Sequence, residues 1–311
     1  MKTTVLLVGH GSRDKNGNIE IEKFSKEWQA RNSEWDITTC YIEFADILLD
    51  DGLDIAADIA TTNKSNKVII LPLILNAAGH VKMEIPFHIN KARERHSQIN
   101  FVYARHIGAA EPILAILKRN LTKALASIEM PDPHSTGVII LGRGSSDQFA
   151  NGELAKMARW LFEKTEHDAV DIAFTGITYP RLETVVQRQK LIGKTQIVIL
   201  PYYLFTGTLM ERIKRQTSRL QQQHPVISFA LSNYFGFENE IYELLSARVK
   251  QAIGEDDSYS GENIMLECDG CHYRELAESE GHKHNHEHHD HSQQHIHQKD
   301  DKQELHTGVT A

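Results

Sequence analysis

Val5-Leu6-Leu7-Val8-Gly9-His10-Gly11-Ser12 decides the fold. An apolar run that ends abruptly at a histidine between two glycines reads as a buried strand closed by a tight turn. Open α/β sheets place their ligand crevices at the carboxyl ends of such strands. The flanking glycines permit positive φ and close backbone approach, so the imidazole of His10 is expected to protrude with little bulk around it. Downstream, Ile21, Phe24 and Trp28 fall at i, i+3 and i+7, one helix face that needs burial. A strand over Ile37 to Ile42 and a helix from Ile47 to about Ala60 follow. Then come the apolar run Val68 to Leu75, a short strand over Phe101 to Ala104 and a helix from Pro112 to about Ala126. Strands alternating with helices imply parallel pairing with right-handed crossovers.

The opening stretch recurs. Val138-Ile139-Ile140-Leu141-Gly142-Arg143-Gly144-Ser145 repeats the apolar run and the Gly-x-Gly-Ser turn, and Leu154, Met157 and Leu161 repeat the helix face. Leu200-Pro201 through Gly207 repeats Leu71-Pro72 through Gly79 with one residue fewer. Two matched pairs in the same order indicate duplication of one α/β unit. The segment Met130 to Ser135, with prolines at 131 and 133, is the linker. The expected architecture is therefore two duplicated α/β units with parallel sheets: residues 1–130, residues 135–255, and a Cys/His-rich acidic tail over 256–311.

Charge divides along the same boundary. Residues 1–255 carry 30 basic and 29 acidic side chains, whereas 256–311 carry 4 and 13, so the overall charge of -8 splits into +1 and -9. Neither part has the basic surplus of a nucleic-acid binder. No stretch approaches the ~20 apolar residues that cross a bilayer, and nothing points to a membrane surface. Three cysteines and an N-terminus without signal-peptide character lead to the expectation of a cytoplasmic protein with no disulfide framework.

The residues able to do chemistry gather at strand ends of the first unit. His10 ends the first strand, Glu43 follows the second, and Gly79-His80-Val81-Lys82-Met83-Glu84-Ile85-Pro86 follows the third. A helical turn starting at Gly79 puts His80 and Glu84 on one face at i and i+4, and Pro86 is expected to keep that turn short or kinked. Imidazoles and carboxylates at open positions suit a borderline divalent ion such as cobalt, iron or nickel. Taken singly, a histidine beside a glycine is as compatible with a structural hydrogen bond. The repeat sets these residues apart: His10 aligns with Arg143, His80 with Thr208, Glu84 with Arg212 and Glu43 roughly with Thr178. Metal-competent groups thus occupy one unit only. Arg143 and Arg212 suit carboxylate binding through paired donors, or are solvated surface charges.

These residues resemble the class II chelatases of tetrapyrrole synthesis, in the long, CbiX-like form. The resemblance covers about residues 1–250, through Gly9-His10-Gly11-Ser12, Glu43 and the stretch from Gly79-His80-Val81 to Ile85-Pro86. It implies two Rossmann-like halves facing a cleft, with the metal held by His10 and His80 and the macrocycle lying between the halves. Glu84 falls at a position that is often aspartate in the family. The implied activity is ATP-independent insertion of Co²⁺ into sirohydrochlorin on the cobalamin route, with Fe²⁺ insertion for sirohaem as the alternative and Ni²⁺ also acceptable. His10, His80, Glu84 and Glu43 are the expected catalytic group, and Arg13, Arg143 and Arg212 the expected clamps on the substrate's carboxylates. Such a reaction strips water from the ion and two protons from the ring nitrogens; neighbouring carboxylates can raise imidazole basicity or relay protons.

The tail also resembles the long form, which carries a histidine-rich stretch and a Met-x-Cys-x-x-Cys motif associated with an iron-sulfur centre. Here Met265-Leu266-Glu267-Cys268-Asp269-Gly270-Cys271 has one more residue between Met and Cys. A cluster usually takes four thiolates, so Cys268 and Cys271 would complete one only in a homodimer. Cys268 to His272 also spells a haem attachment pattern or, more simply, a thiolate and imidazole metal site. Eight of the sixteen residues from His282 to His297 are histidine, including His282, His284, His286, His288 and His289. Such a run binds divalent cations at neutral pH and reads as a metal reservoir or delivery arm. A non-catalytic metal-delivery protein stays open as a reading of another class. A histidine phosphatase is disfavoured because the chain has Gly-His-Gly rather than Arg-His-Gly.

Overall fold

The computed structural model describes residues 2–255. The candidate tail ligands Cys268, Cys271, His272, His282, His284, His286, His288 and His289 lie outside the described residues. Two four-stranded parallel sheets form. The first, in the order β2-β1-β3-β4, contains β1 (Thr3–Gly9), β2 (Trp35–Tyr41), β3 (Lys67–Pro72) and β4 (Asn100–Tyr103). The second repeats it as β6-β5-β7-β8, with β5 (Thr136–Gly142), β6 (Val170–Phe174), β7 (Gln196–Pro201) and β8 (Ser228–Leu231). The helices are α1 (Lys15–Arg31), α2 (Leu49–Thr62), α3 (Ile85–Arg95) and α4 (Glu111–Leu125), then α5 (Gln148–Glu163), α6 (Leu182–Leu191), α7 (Thr208–Gln223) and α8 (Asn239–Ile253).

Strand alternation sorts the core into layers. Leu6, Val8, Val68 and Ile70 pack with α2 and α3, while Ile139, Leu141, Ile197 and Ile199 pack with α6 and α7. The opposite faces, through Val5, Leu7, Ile69 and Leu71 of one sheet and Val138, Ile140, Val198 and Leu200 of the other, share one continuous core with α1, α4, α5 and α8. The last helix of each unit crosses over: α8 packs on β3, and α4 packs on β7 and β8. Phe24 of α1, fully buried, stacks on Tyr242 of α8 at 4.2 Å between ring centroids. The two units are thereby locked through a shared interior.

Three expectations shift in the structure. The apolar run Val68 to Leu75 is strand only as far as Pro72, and Ile74 and Leu75 instead accept backbone hydrogen bonds from Ile107 and Gly108. Pro86 does not cut the third strand-end turn short. His80–Glu84 form a π-helical turn that runs directly into α3, with the Ile85 N–H donating to His80 O and Pro86 in the first turn of α3. Proline lacks an N–H for an α-helical ladder, and widening the preceding turn to an i→i+5 bond accommodates it. The third shift concerns the partner of Glu43 in the repeat. Glu43 N donates to His10 O and Gly176 N donates to Arg143 O, so the counterpart of Glu43 is Gly176 rather than Thr178.

Candidate active site in the cleft between the sheets

His10 leaves the end of β1 in a turn that only glycine can complete. Gly11 has φ +87°, and a Cβ there would lie 1.7 Å from Glu43 O, because that carbonyl belongs to the segment bonded to His10. The duplicate obeys the same constraint: Gly144 has φ +88°, and its Cβ would lie 2.4 Å from Gly176 O. Each turn is then tied to the following helix in the same way. Ser12 Oγ accepts from Asp14 N, Asn18 accepts from Ser12 N, and Asp14 caps α1. Ser145, Asn151 and Asp147 repeat those bonds at α5.

The turn brings four expected residues together. The His10 and His80 rings meet edge to face with centroids 4.8 Å apart. His10 Nδ1 lies 3.1 Å from Gly11 O and 3.5 Å from Glu43 Oε1. His80 Nδ1 lies 2.5 Å from Glu84 Oε2, the carboxylate itself being buried. The π-helical turn that sets this pair is held by the Tyr103 hydroxyl, which donates to Val81 O at 2.8 Å.

Arg143, the duplicate of His10, faces it across the cleft: its Nη1 is 3.2 Å from His10 Nε2. A guanidinium can only donate, so Nε2 accepts and Nδ1 carries the ring proton toward Gly11 O and Glu43. Burial, then the neighbouring His80 and Arg143 among other charges, lowers the His10 pKa from 6.5 to about 4. The ring is therefore neutral at physiological pH, with its lone pair on Nε2. Burial pushes the Glu43 carboxyl up, against the opposing pull of His80 and Arg143, and so makes it a better proton acceptor than an exposed glutamate.

A cleft of about 500 Å³ opens over this group, lined by His10, His80, Arg143, Ile177, Tyr202 and Tyr203 among others. Arg13 is exposed and stacks 4.7 Å over the Phe44 ring, within electrostatic reach of Glu43. Arg212 is exposed on α7; it and Arg143 both act on the Tyr203 phenol, which burial nevertheless pushes up to about 12. Arg143 lines the cleft, whereas Arg13 and Arg212 stand outside its lining. Among the described residues no three His, Cys, Asp or Glu side chains form a closed metal-binding group. What the first unit offers is an open pair of imidazoles, each backed by a carboxylate.

A family model described as CbiX matches residues 4–124 and 137–252, one stretch for each sheet. The chain belongs to the CbiX family. It is 37% identical over 273 residues to a sirohydrochlorin cobaltochelatase of Priestia megaterium, covering 87% of this chain and 84% of the relative. It is also 31% identical over 251 residues to a sirohydrochlorin ferrochelatase of the same organism, covering 79% and 89% respectively. Among solved structures, SirB of Bacillus subtilis with Fe³⁺ superposes with a TM-score of 0.71 at 26% identity, covering 85% of this chain and all of that one.

This CbiX-family chain holds further site features that the sequence reading missed. Lys82, inside the π-helical turn between His80 and Glu84, pairs at 2.7 Å with Asp147, the cap of α5, and both side chains are buried. The bond ties the turn carrying His80 to the opposite unit. Other links cross between the units as well, among them Thr206 N donating to Glu20 and Ala109 N donating to Glu153. The letters carry only the cap itself, since Gly-x-Gly-Ser-x-Asp with Asn four residues on occurs at both Gly9 and Gly142.

Proposed function

We propose that this protein inserts a divalent metal into sirohydrochlorin, with Co²⁺ as the physiological ion and His10 and His80 as its entry ligands. The observation that carries this reading is the facing imidazole pair, present in the first unit and replaced by Arg143 and Thr208 in the second. The first unit, 1–130, then keeps the metal chemistry, and the second, 135–255, supplies the opposing wall.

The reaction exchanges one M²⁺ for two ring N–H protons. His10 is neutral and presents Nε2; His80 is oriented through Nδ1 by Glu84, which leaves its other nitrogen as the ligand atom. Two imidazoles leave the rest of the coordination sphere to water and then to the ring nitrogens, so the ion is delivered rather than trapped. Glu43, with its raised pKa, accepts a ring proton, and the His80–Glu84 pair provides a second route out. Arg143 holds His10 Nε2 in the resting site, and a metal ion must displace it. The peripheral carboxylates of the macrocycle offer the displaced guanidinium a paired acceptor; Arg13 and Arg212 extend that positive rim.

The 37% identity to a cobaltochelatase over most of both chains favours cobalt; the 31% identity to a ferrochelatase supports Fe²⁺ for sirohaem as the second reading. Following sirohydrochlorin absorbance with the purified chain and equal Co²⁺ or Fe²⁺ under anaerobic conditions separates them. Faster cobalt insertion is expected. A higher specificity for Fe²⁺ overturns the cobalt assignment, and no insertion with either ion overturns the chelatase reading.

A further inference from the structure

Immediately after the segments bonded to His10 and Arg143 stand two residues in left-handed backbone: Phe44 with φ +55° and Ile177 with φ +61°. They are counterparts in the repeat, because Glu43 N bonds His10 O and Gly176 N bonds Arg143 O, and each is the next residue along. Left-handed φ is costly for any side chain with a Cβ and is a genuine outlier for β-branched isoleucine. Glycine would occupy both positions without that cost. Both side chains are also exposed, Phe44 at 43% and Ile177 at 57%, so the strain is not offset by burial in the core. Both units therefore hold a bulky apolar residue where local energetics favour glycine and solvent favours a polar group. Strain of this kind persists where the surroundings over-determine it and clusters at ligand clamps. At Phe44 the surroundings are visible: Asn18 donates to Phe44 O at 2.8 Å while accepting from Ser12 N, coupling this residue to the His10 turn.

Their placement names the ligand. Ile177 lines the same cleft as His10, His80 and Arg143. Phe44 stands outside that lining, at its edge: its backbone adjoins Glu43, whose carboxylate lies 3.5 Å from His10, and its ring carries the Arg13 guanidinium at 4.7 Å. The arginines of this site meet a substrate's carboxylates, but nothing charged grips the flat conjugated ring that carries them. We propose that Phe44 and Ile177 are paired apolar grips, one from each unit, that hold the ring of the tetrapyrrole over the imidazole pair. This inference rests on the chelatase reading above.

The test is direct binding of metal-free sirohydrochlorin, read by quenching of its fluorescence, alongside thermal unfolding of the same full-length proteins. For Ile177→Gly and Phe44→Gly the thermal midpoint should stay level or rise, because the strain is relieved. Macrocycle affinity should fall about tenfold in each, the factor that corresponds to about 1.4 kcal/mol. Ile177→Leu should bind within about twofold of wild type, and Ile177→Asn, which tolerates left-handed backbone but is polar, should bind as poorly as the glycine variant. Wild-type affinity in both glycine variants overturns the inference alone. Failure of the wild-type chain to bind sirohydrochlorin overturns the chelatase reading and the inference with it.

Discussion

Arg143→Ala separates the two substrates. In the resting site the guanidinium occupies the lone pair of His10, with Nη1 3.2 Å from Nε2. An ion bound along that lone pair, about 2 Å from Nε2, would collide with the guanidinium where it stands, and with the guanidinium moved off to about 5 Å the two still repel by about 2–3 kcal/mol at an effective dielectric of 40–80. Arg143 is exposed and can swing away, which recovers about half of that energy. The variant should consequently bind Co²⁺ about 5- to 13-fold more tightly, the range corresponding to about 1–1.5 kcal/mol. Its KM for sirohydrochlorin should move the opposite way, up about tenfold, because a charge-assisted hydrogen bond contributes about 1.5–3 kcal/mol. Cobalt binding is followed by the visible absorption of the bound ion, and the double variant His10→Ala/Arg143→Ala supplies the baseline for sites elsewhere on the chain, the histidine run included. Unchanged or weaker His10-dependent cobalt affinity in Arg143→Ala would refute the idea that this arginine masks the metal ligand.

Two glycines give opposite outcomes. Gly11→Ala drives a Cβ to 1.7 Å from Glu43 O and should lower stability by about 2–4 kcal/mol in urea unfolding while abolishing insertion. In Gly152→Ala, within α5 and with nothing near the new Cβ, stability should rise by about 0.5–1 kcal/mol. Lys82→Met leaves Asp147 buried without the 2.7 Å partner and should cost about 3–5 kcal/mol, measured by denaturant midpoint at constant slope. Acid sensitivity should trace to His10, whose pKa is about 4 in the fold against 6.5. The unfolded chain takes up the proton first, so this contribution is intact above pH 6.5 and is lost as the pH falls toward 4, by up to about 3 kcal/mol. Unfolding of His10→Ala compared with wild type at pH 7 and pH 4.5 isolates it; equal pH dependence in the two proteins would contradict the assignment.

Much of this architecture is legible in the letters because parallel strands buried on both faces are written as continuous apolar runs. Val5 to Val8 and Val138 to Leu141 are read in that way, and the helix face of Ile21, Phe24 and Trp28 is buried as its spacing requires. Strand-end position marks His10, Glu43, His80 and Glu84 as neighbours, since strand ends of one parallel sheet open on the same edge. Side-chain reach is less legible. Nothing in the spacing of Lys82 and Asp147 announces a bond across 65 residues, and the crossing of α4 and α8 depends on which face of two finished sheets remains uncovered. The π-helical turn was hidden because a proline that ends an α-helix can instead be absorbed by a wider turn before it. Aligning Glu43 with Thr178 failed because the letters after β6 differ from those after β2, while the backbone hydrogen bonds that define equivalence to Gly176 do not.

The most direct measurement is the location of the metal itself: anomalous diffraction at the cobalt edge from crystals of the full chain soaked in Co²⁺. A peak is expected within bonding distance of Nε2 of His10 and of His80, with the Arg143 guanidinium turned away from the ring. No peak at that pair, or a cobalt ion bound at the Arg143 and Thr208 side of the cleft instead, would contradict the assignment of metal chemistry to the first unit.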